Sequence, residues 1–139
     1  MVNGNRDVLM SIRPEYAEAI ISGSKTFELR RRRPSFTDGT KVVVYSSSPD
    51  RQLLGTFETG AIHEGCPDDI WDLVSTRAGI GRDTFDEYFR GCDMAYAIEV
   101  QSPQRLDPKP LRIRPPQSYL FLRPGRRGHR SVLRWAAAT

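Results

Sequence analysis

The 139-residue chain holds two cysteines, two histidines and three lysines. Cys66 and Cys92 form no C-x-x-C pair, only His63 and His129 could join them, and His63-x-x-Cys66 is poor zinc spacing. The thiols therefore read as free. The core must stand without a disulfide or a metal, which a chain of this length can do. No apolar run approaches the roughly 20 residues of a membrane helix. The N-terminal stretch MVNGNRDVLMSIR lacks the apolar centre of a secretory signal. A single soluble, cytoplasmic domain is expected. The phosphate-binding P-loop, the Rossmann glycine pattern and the G-x-S-x-G nucleophile elbow are all missing.

Charge of one sign is scarce locally rather than overall. The net charge is +4, yet residues 105–139 carry nine Arg or Lys against Asp107 alone, which leaves residues 1–104 at −4. Codon usage can exchange Lys for Arg, but it does not separate the signs along a chain. The split points to a nucleic-acid contact through the basic end. Between Glu64 and Asp93, eight acids face three bases. That segment reads as a solvated surface and is disfavoured as a nucleic-acid surface.

What is present is local punctuation. Asp7–Ile12 reads as a strand. Pro14–Ser22 reads as a helix, with Pro at its first turn, Gly23 at its end and Tyr16, Ala17, Ile20 and Ile21 on one face. Past Gly23 the period changes to two, which puts Ser24, Thr26, Glu28 and Arg30 on one strand face and Lys25, Phe27, Leu29 and Arg31 on the other. Pro34–Gly39 is a loop. Lys41–Ser46 is a β-branched central strand, and Gln52–Ile62 is a long strand whose Gly55 marks a bulge or a close approach. Residues 67–90 read as helical, opened by Pro67 with Asp68 and Asp69 in the first turn. Met94–Gln101 alternates as a strand. Four prolines interrupt Leu106–Pro116, leaving Leu111–Arg114 as a candidate edge strand. Gln117–Leu122 is a short apolar segment. In the basic stretch 123–139, Val132, Leu133 and Trp135 fit one short helix against the body; without it the tail would be mobile.

Several side chains fit a polar cleft. Lys25 is a compact charge whose pKa falls on burial, so it suits a base or an oxyanion partner; it equally fits a surface turn. Glu28 and Arg30 fit a structural ion pair or a grip on a base edge and its phosphate. Arg31, Arg32 and Arg33 extend the charge, although arginine runs are usually solvated. Tyr45 can stack on a base, Ser46 and Ser47 can meet phosphate, and Arg51 lies within reach of the same turn. Ser118, in Pro116-Gln117-Ser118-Tyr119, has no neighbouring His and Asp for a hydrolase triad.

The G-x-K-x-x-E-x-R spacing at 23–30, then VVVYSSSPDRQLLGTFE, IWDLV, DTFDEYFRG, AYAIEV and PPQSYLFL in this order, resemble the ASCH domains of the PUA-like superfamily. The resemblance covers nearly the whole chain to Leu122. It implies an α+β fold, a PUA-like mixed β-barrel of five to six strands with one early helix and a helical insert. Residues 1–122 would be the domain and 123–139 a basic tail. It also implies a cleft between the first helix and the barrel that binds single-stranded RNA or a modified nucleotide, with Lys25, Arg30 and Arg51 on phosphate. Some ASCH proteins are described as ribonucleases that use a divalent cation (Mg²⁺ or Mn²⁺) and a Tyr, a basic residue and a Ser. Tyr45, Arg51 and Ser118 look like the matching positions, with Arg where Lys is expected. Others are N4-acetylcytidine amidohydrolases with a Lys in this turn, a Thr three residues on and a later Glu. Lys25 fits, but position 28 is Glu28, and Glu58 or Glu99 would have to supply the carboxylate. A transcription-related protein-interaction role is the third function the family name carries. No other cofactor is implied.

Overall fold

Pro14 and Gly23 bracket the first helix as their chemistry dictates. In the computed structural model, which describes residues 6–138, β1 (Val8–Ile12) leads into α1 (Pro14–Ser22). Residues 1–5 of the N-terminal stretch and Thr139 of the basic tail lie outside the described residues. Gly23 closes α1 in the left-handed region, at φ 91°, where its amide donates to the Ile20 carbonyl. There follow β2 (Phe27–Arg30), β3 (Lys41–Ser46), β4 (Gln52–Gly65), α2 (Pro67–Val74), α3 (Arg82–Tyr88), β5 (Ala95–Pro110), β6 (Tyr119–Phe121) and α4 (His129–Ala136).

The strands form one mixed sheet in the order β2-β5-β4-β3-β1-β6, with β1 and β3 parallel and the other neighbours antiparallel. The sheet curls into a half-barrel. Its outermost strands approach each other through Arg30 of β2, which donates to Ser118 beside β6. This is the expected α+β architecture with six strands, an early helix and a helical insert.

Period two sorts the core. Val8, Met10, Val42 and Val44 point to one side, where α1 covers them with Ala17, Ile20 and Ile21. Leu9, Val43 and Tyr45 point to the other, against Val132 and Ala136 of α4. Strands buried on both faces need continuous apolar runs, hence VLM and VVVY. A third cluster joins Phe27 and Leu29 of β2 to Ile70, Val74 and Phe85 of the insert.

Five boundaries differ from the sequence reading. The strand after Gly23 begins only at Phe27, because Lys25 and Thr26 spend their amides on Ala19 and Arg77 carbonyls. β4 runs on to Gly65, three residues past Ile62. The helical insert breaks into α2 and α3 around residues 75–81, where Gly79 adopts φ 69°. β5 does not stop at Gln101 but runs to Pro110. Its Pro103 and Pro108 fall in the gaps where the β4–β5 register shifts, so neither removes a needed ladder bond. Leu111–Arg114 is no strand; Leu111 and Ile113 instead pack against α4. Among the described residues, no helix is long and apolar enough to cross a membrane.

Candidate nucleic-acid groove

The site lies where β1 runs into α1. Ser11 and Arg13 at that junction line two adjoining cavities, one of about 700 Å³ and one of about 610 Å³. Tyr16, Lys25, Glu28, Arg30, Arg31 and Tyr88 line the larger lobe. Tyr45, Ser47, Ser48, Arg51, Pro116 and Gln117 line the smaller.

Lys25 enters the larger lobe because it precedes β2 and escapes the strand alternation that would have set it opposite Glu28. It is only 3% exposed. Its ammonium donates to the Ala78 carbonyl and sits 5.3 Å from the Tyr16 ring centroid. Its stem rests on Gly79, where an added Cβ would lie 3.2 Å from the Lys25 Cβ. Burial pushes the amine below the ordinary lysine value, Glu28 partly restores it, and Arg30 lowers it further.

Glu28 and Arg30 share a strand face, as period two requires, and form an ion pair at 3.0 Å. Arg30 also donates to Ser118 Oγ at 3.0 Å and to the Ser11 carbonyl at 3.4 Å. It therefore ties β2 to β1 and to the approach to β6. Exposed Arg31 lays its guanidinium 5.4 Å from the Tyr88 ring centroid. The Tyr88 hydroxyl donates to the Leu29 carbonyl, and burial pushes the phenol up.

In the smaller lobe, β3 delivers Tyr45 with its ring buried among Leu9, Val43 and Leu53. Ser47 lines the lobe. Ser46 does not: it is fully buried and donates to the Asp50 carboxylate at 2.9 Å, so it holds the turn. Arg51 stands at φ 52°, uncommon for a side-chain-bearing residue, where the turn enters β4. Ser118 is exposed and sits at the seam, bonded to Arg30. Three distant stretches of chain, 25–31, 45–51 and 116–118, thus converge around Ser11–Arg13.

Tyr16, Tyr88, Asp83, Thr84 and Glu87 were not legible as site residues. Tyr16 and Tyr88 read as apolar helix faces. Asp83 and Glu87 belong to the acidic insert, whose α3 nevertheless walls the larger lobe. A resident divalent ion does not fit this donor set. Among the described residues no three His, Cys, Asp or Glu side chains gather as ligands, and Glu28 is held by Arg30. His63, the weak zinc candidate, bonds Glu99 at 2.7 Å instead.

The ASCH domain model matches residues 10–104. An ASCH domain-containing ribonuclease of Zymomonas mobilis is 30% identical over 126 residues, covering 85% of each chain. The crystal structure of ASCH from Zymomonas mobilis superposes with a TM-score of 0.83 at 28% identity, covering 92% of this chain and 93% of that one. Tyr-to-Phe and Ser-to-Ala variants from that organism also superpose at 0.83. A large ribosomal subunit protein of Ureaplasma parvum is 23% identical over 91 residues, 66% of this chain but 29% of its own length.

Proposed function

The chain belongs to the ASCH domain family, and on that premise we propose that its two-lobed groove binds single-stranded RNA and that the smaller lobe cuts it. The observation that carries the reading is the convergence of Lys25, Arg30, Tyr45, Arg51 and Ser118 on one groove from three separated stretches. The relative that is a ribonuclease supports the cleavage step.

The roles follow from the chemistry. Single-stranded RNA offers splayed bases and a charged backbone. The aromatic walls Tyr16 and Tyr88 give the larger lobe a stacking surface. Cleavage forms a bond from phosphorus to an oxygen nucleophile, the strand's own 2′-hydroxyl or a water, as the bond to the leaving oxygen breaks; the nucleophile's proton passes to solvent, the leaving oxygen is given one, and charge is neutralised on the phosphate. Arg51 suits the neutralisation of charge and, being permanently protonated, not the giving of the proton. Tyr45 is the side chain of that lobe able to give a proton. Lys25, in the adjoining larger lobe, holds the bound strand in place for that cut. A divalent ion taken up with the substrate would be held mainly by RNA phosphate, and no step here is routed through it.

Amidohydrolysis of N4-acetylcytidine is less well supported. Position 28 is a carboxylate already paired with Arg30, and Thr26 does not line the lobe.

The test is turnover on 5′-labelled single-stranded RNA and on N4-acetylcytidine, with Mg²⁺ or Mn²⁺ and with chelator. RNA product in excess of protein, lost in Tyr45→Phe and in Lys25→Ala with the fold retained, is expected. Equal product in both variants, or product from the acetylated nucleoside alone, would overturn the reading.

A further inference from the structure

The matched family region ends at residue 104, and the strongly basic stretch begins at 105. Arg105 is accounted for: it pairs with Glu18 on α1. The remaining arginines of the stretch are different. All seven, from Arg112 and Arg114 through Arg123, Arg126 and Arg127 to Arg130 and Arg134, are exposed, and among the described residues none of them forms an ion pair.

Their placement is fixed by packing. α4 buries His129, Val132 and Ala136, so Arg130 and Arg134, one turn apart, stand on its outer side. The helix is docked across the segment before β6. Trp135 Nε1 donates to the Asp107 carbonyl at 2.9 Å, and Gly128 at the helix start lies so close to Ile113 that an added Cβ would sit 2.3 Å from its Cγ2. Ile113 stands between Arg112 and Arg114. Leu111 and Pro115, on either side of these, line the smaller lobe. The start of α4 therefore adjoins the segment that walls that lobe. Like charges on one stretch with no ion pair among them repel each other, and a polyanion relieves that repulsion.

We propose that these arginines form a phosphate track that carries a single RNA strand out of the smaller lobe and along α4. The track rests on the groove reading and adds to it that affinity rises with RNA length. It reads backbone rather than bases.

The test compares a trinucleotide, which the groove alone can hold, with a 20-nucleotide unstructured RNA of the same composition. Wild type and Arg126→Gln/Arg130→Gln/Arg134→Gln are each titrated across a salt series, with folding checked by thermal unfolding. The triple variant should leave trinucleotide binding unchanged. It should lower the slope of log affinity against log salt for the 20-mer by about 2, the value for three lost phosphate contacts on a single strand. An unchanged slope for the 20-mer would overturn the track while leaving the groove intact. Failure of wild type to bind the trinucleotide, with the 20-mer still bound and lost in the triple variant, would overturn the groove reading instead. Tighter binding of a duplex of equal length than of the single strand would also sink the track as stated.

Discussion

Removal of Arg30 should cost more than removal of any other single charge in the groove. Glu28 is 7% exposed and its partner Arg30 lies 3.0 Å away. Breaking a buried pair from one side strands a charge, typically at about 3–5 kcal/mol. Two further bonds, to Ser118 Oγ and to the Ser11 carbonyl, vanish with the guanidinium, each worth about 1 kcal/mol. The sum is about 5–7 kcal/mol, and Lys25, near enough to Glu28 to feel its charge, pulls it towards the lower end. Arg30→Met is therefore expected to lose about 5 kcal/mol in urea unfolding. In the double variant Glu28→Gln/Arg30→Met the carboxylate is no longer stranded, and it should recover about 2 kcal/mol, inside the coupling expected for contacting residues. The two singles, the double and wild type close a cycle. A loss below about 1 kcal/mol in Arg30→Met, or a double variant no more stable than that single, would refute the assignment of Glu28 and Arg30 as a buried pair.

Other perturbations read other parts of the fold. Gly55→Ala would set a Cβ 2.1 Å from the Gln104 carbonyl oxygen, forcing apart the β4–β5 pair. It should lose about 3 kcal/mol in denaturant unfolding, against about 0.5 or less for Gly125→Ala, which meets open space. Gly79→Ala must hold φ 69° with a side chain, and its loss of about 1–2 kcal/mol should come with altered titration of Lys25 by NMR. His129 Nδ1 accepts the Arg123 amide at 3.0 Å, so the ring is neutral there. Burial, with Arg126 and Arg123 beside it, pushes its pKa below the ordinary 6.5. Its contribution is thus full above pH 6.5 and is lost as pH falls through the lowered folded value. Thermal unfolding across that window should show a slope that His129→Gln removes.

How much of this was readable in the sequence depends on how local each cause is. Pro14 and Gly23 act on their own neighbours, so α1 was legible to the residue. The β-branched run fixed β3 equally well. The break between α2 and α3 was not legible, because it is set by contact. Ala78 and Gly79 seat Lys25, which lies 53 residues earlier in the chain. The prolines of β5 misled for the opposite reason. Proline forbids a ladder bond, but whether a ladder bond is due at Pro108 is decided by the register of β4. Among the site residues, Lys25, Glu28, Arg30, Arg31, Tyr45, Ser47, Arg51 and Ser118 reach the groove or its seam. Ser46 turned inward because Asp50 completes its bond four residues on, a choice the pattern of serines did not reveal.

The order in which the groove closes has a consequence for synthesis. Ser11 gives its hydroxyl to the Pro116 carbonyl and its amide to the Ser118 carbonyl, contacts that span most of the chain. A growing chain emerges with Lys25, Glu28 and Arg30 long before Ser118 exists to receive Arg30. Loop closure over such a separation is slow compared with local structure. The cleft of the nascent protein is thus unassembled until the segment at 116–118 has left the ribosome, however early its Lys25, Glu28 and Arg30 emerge.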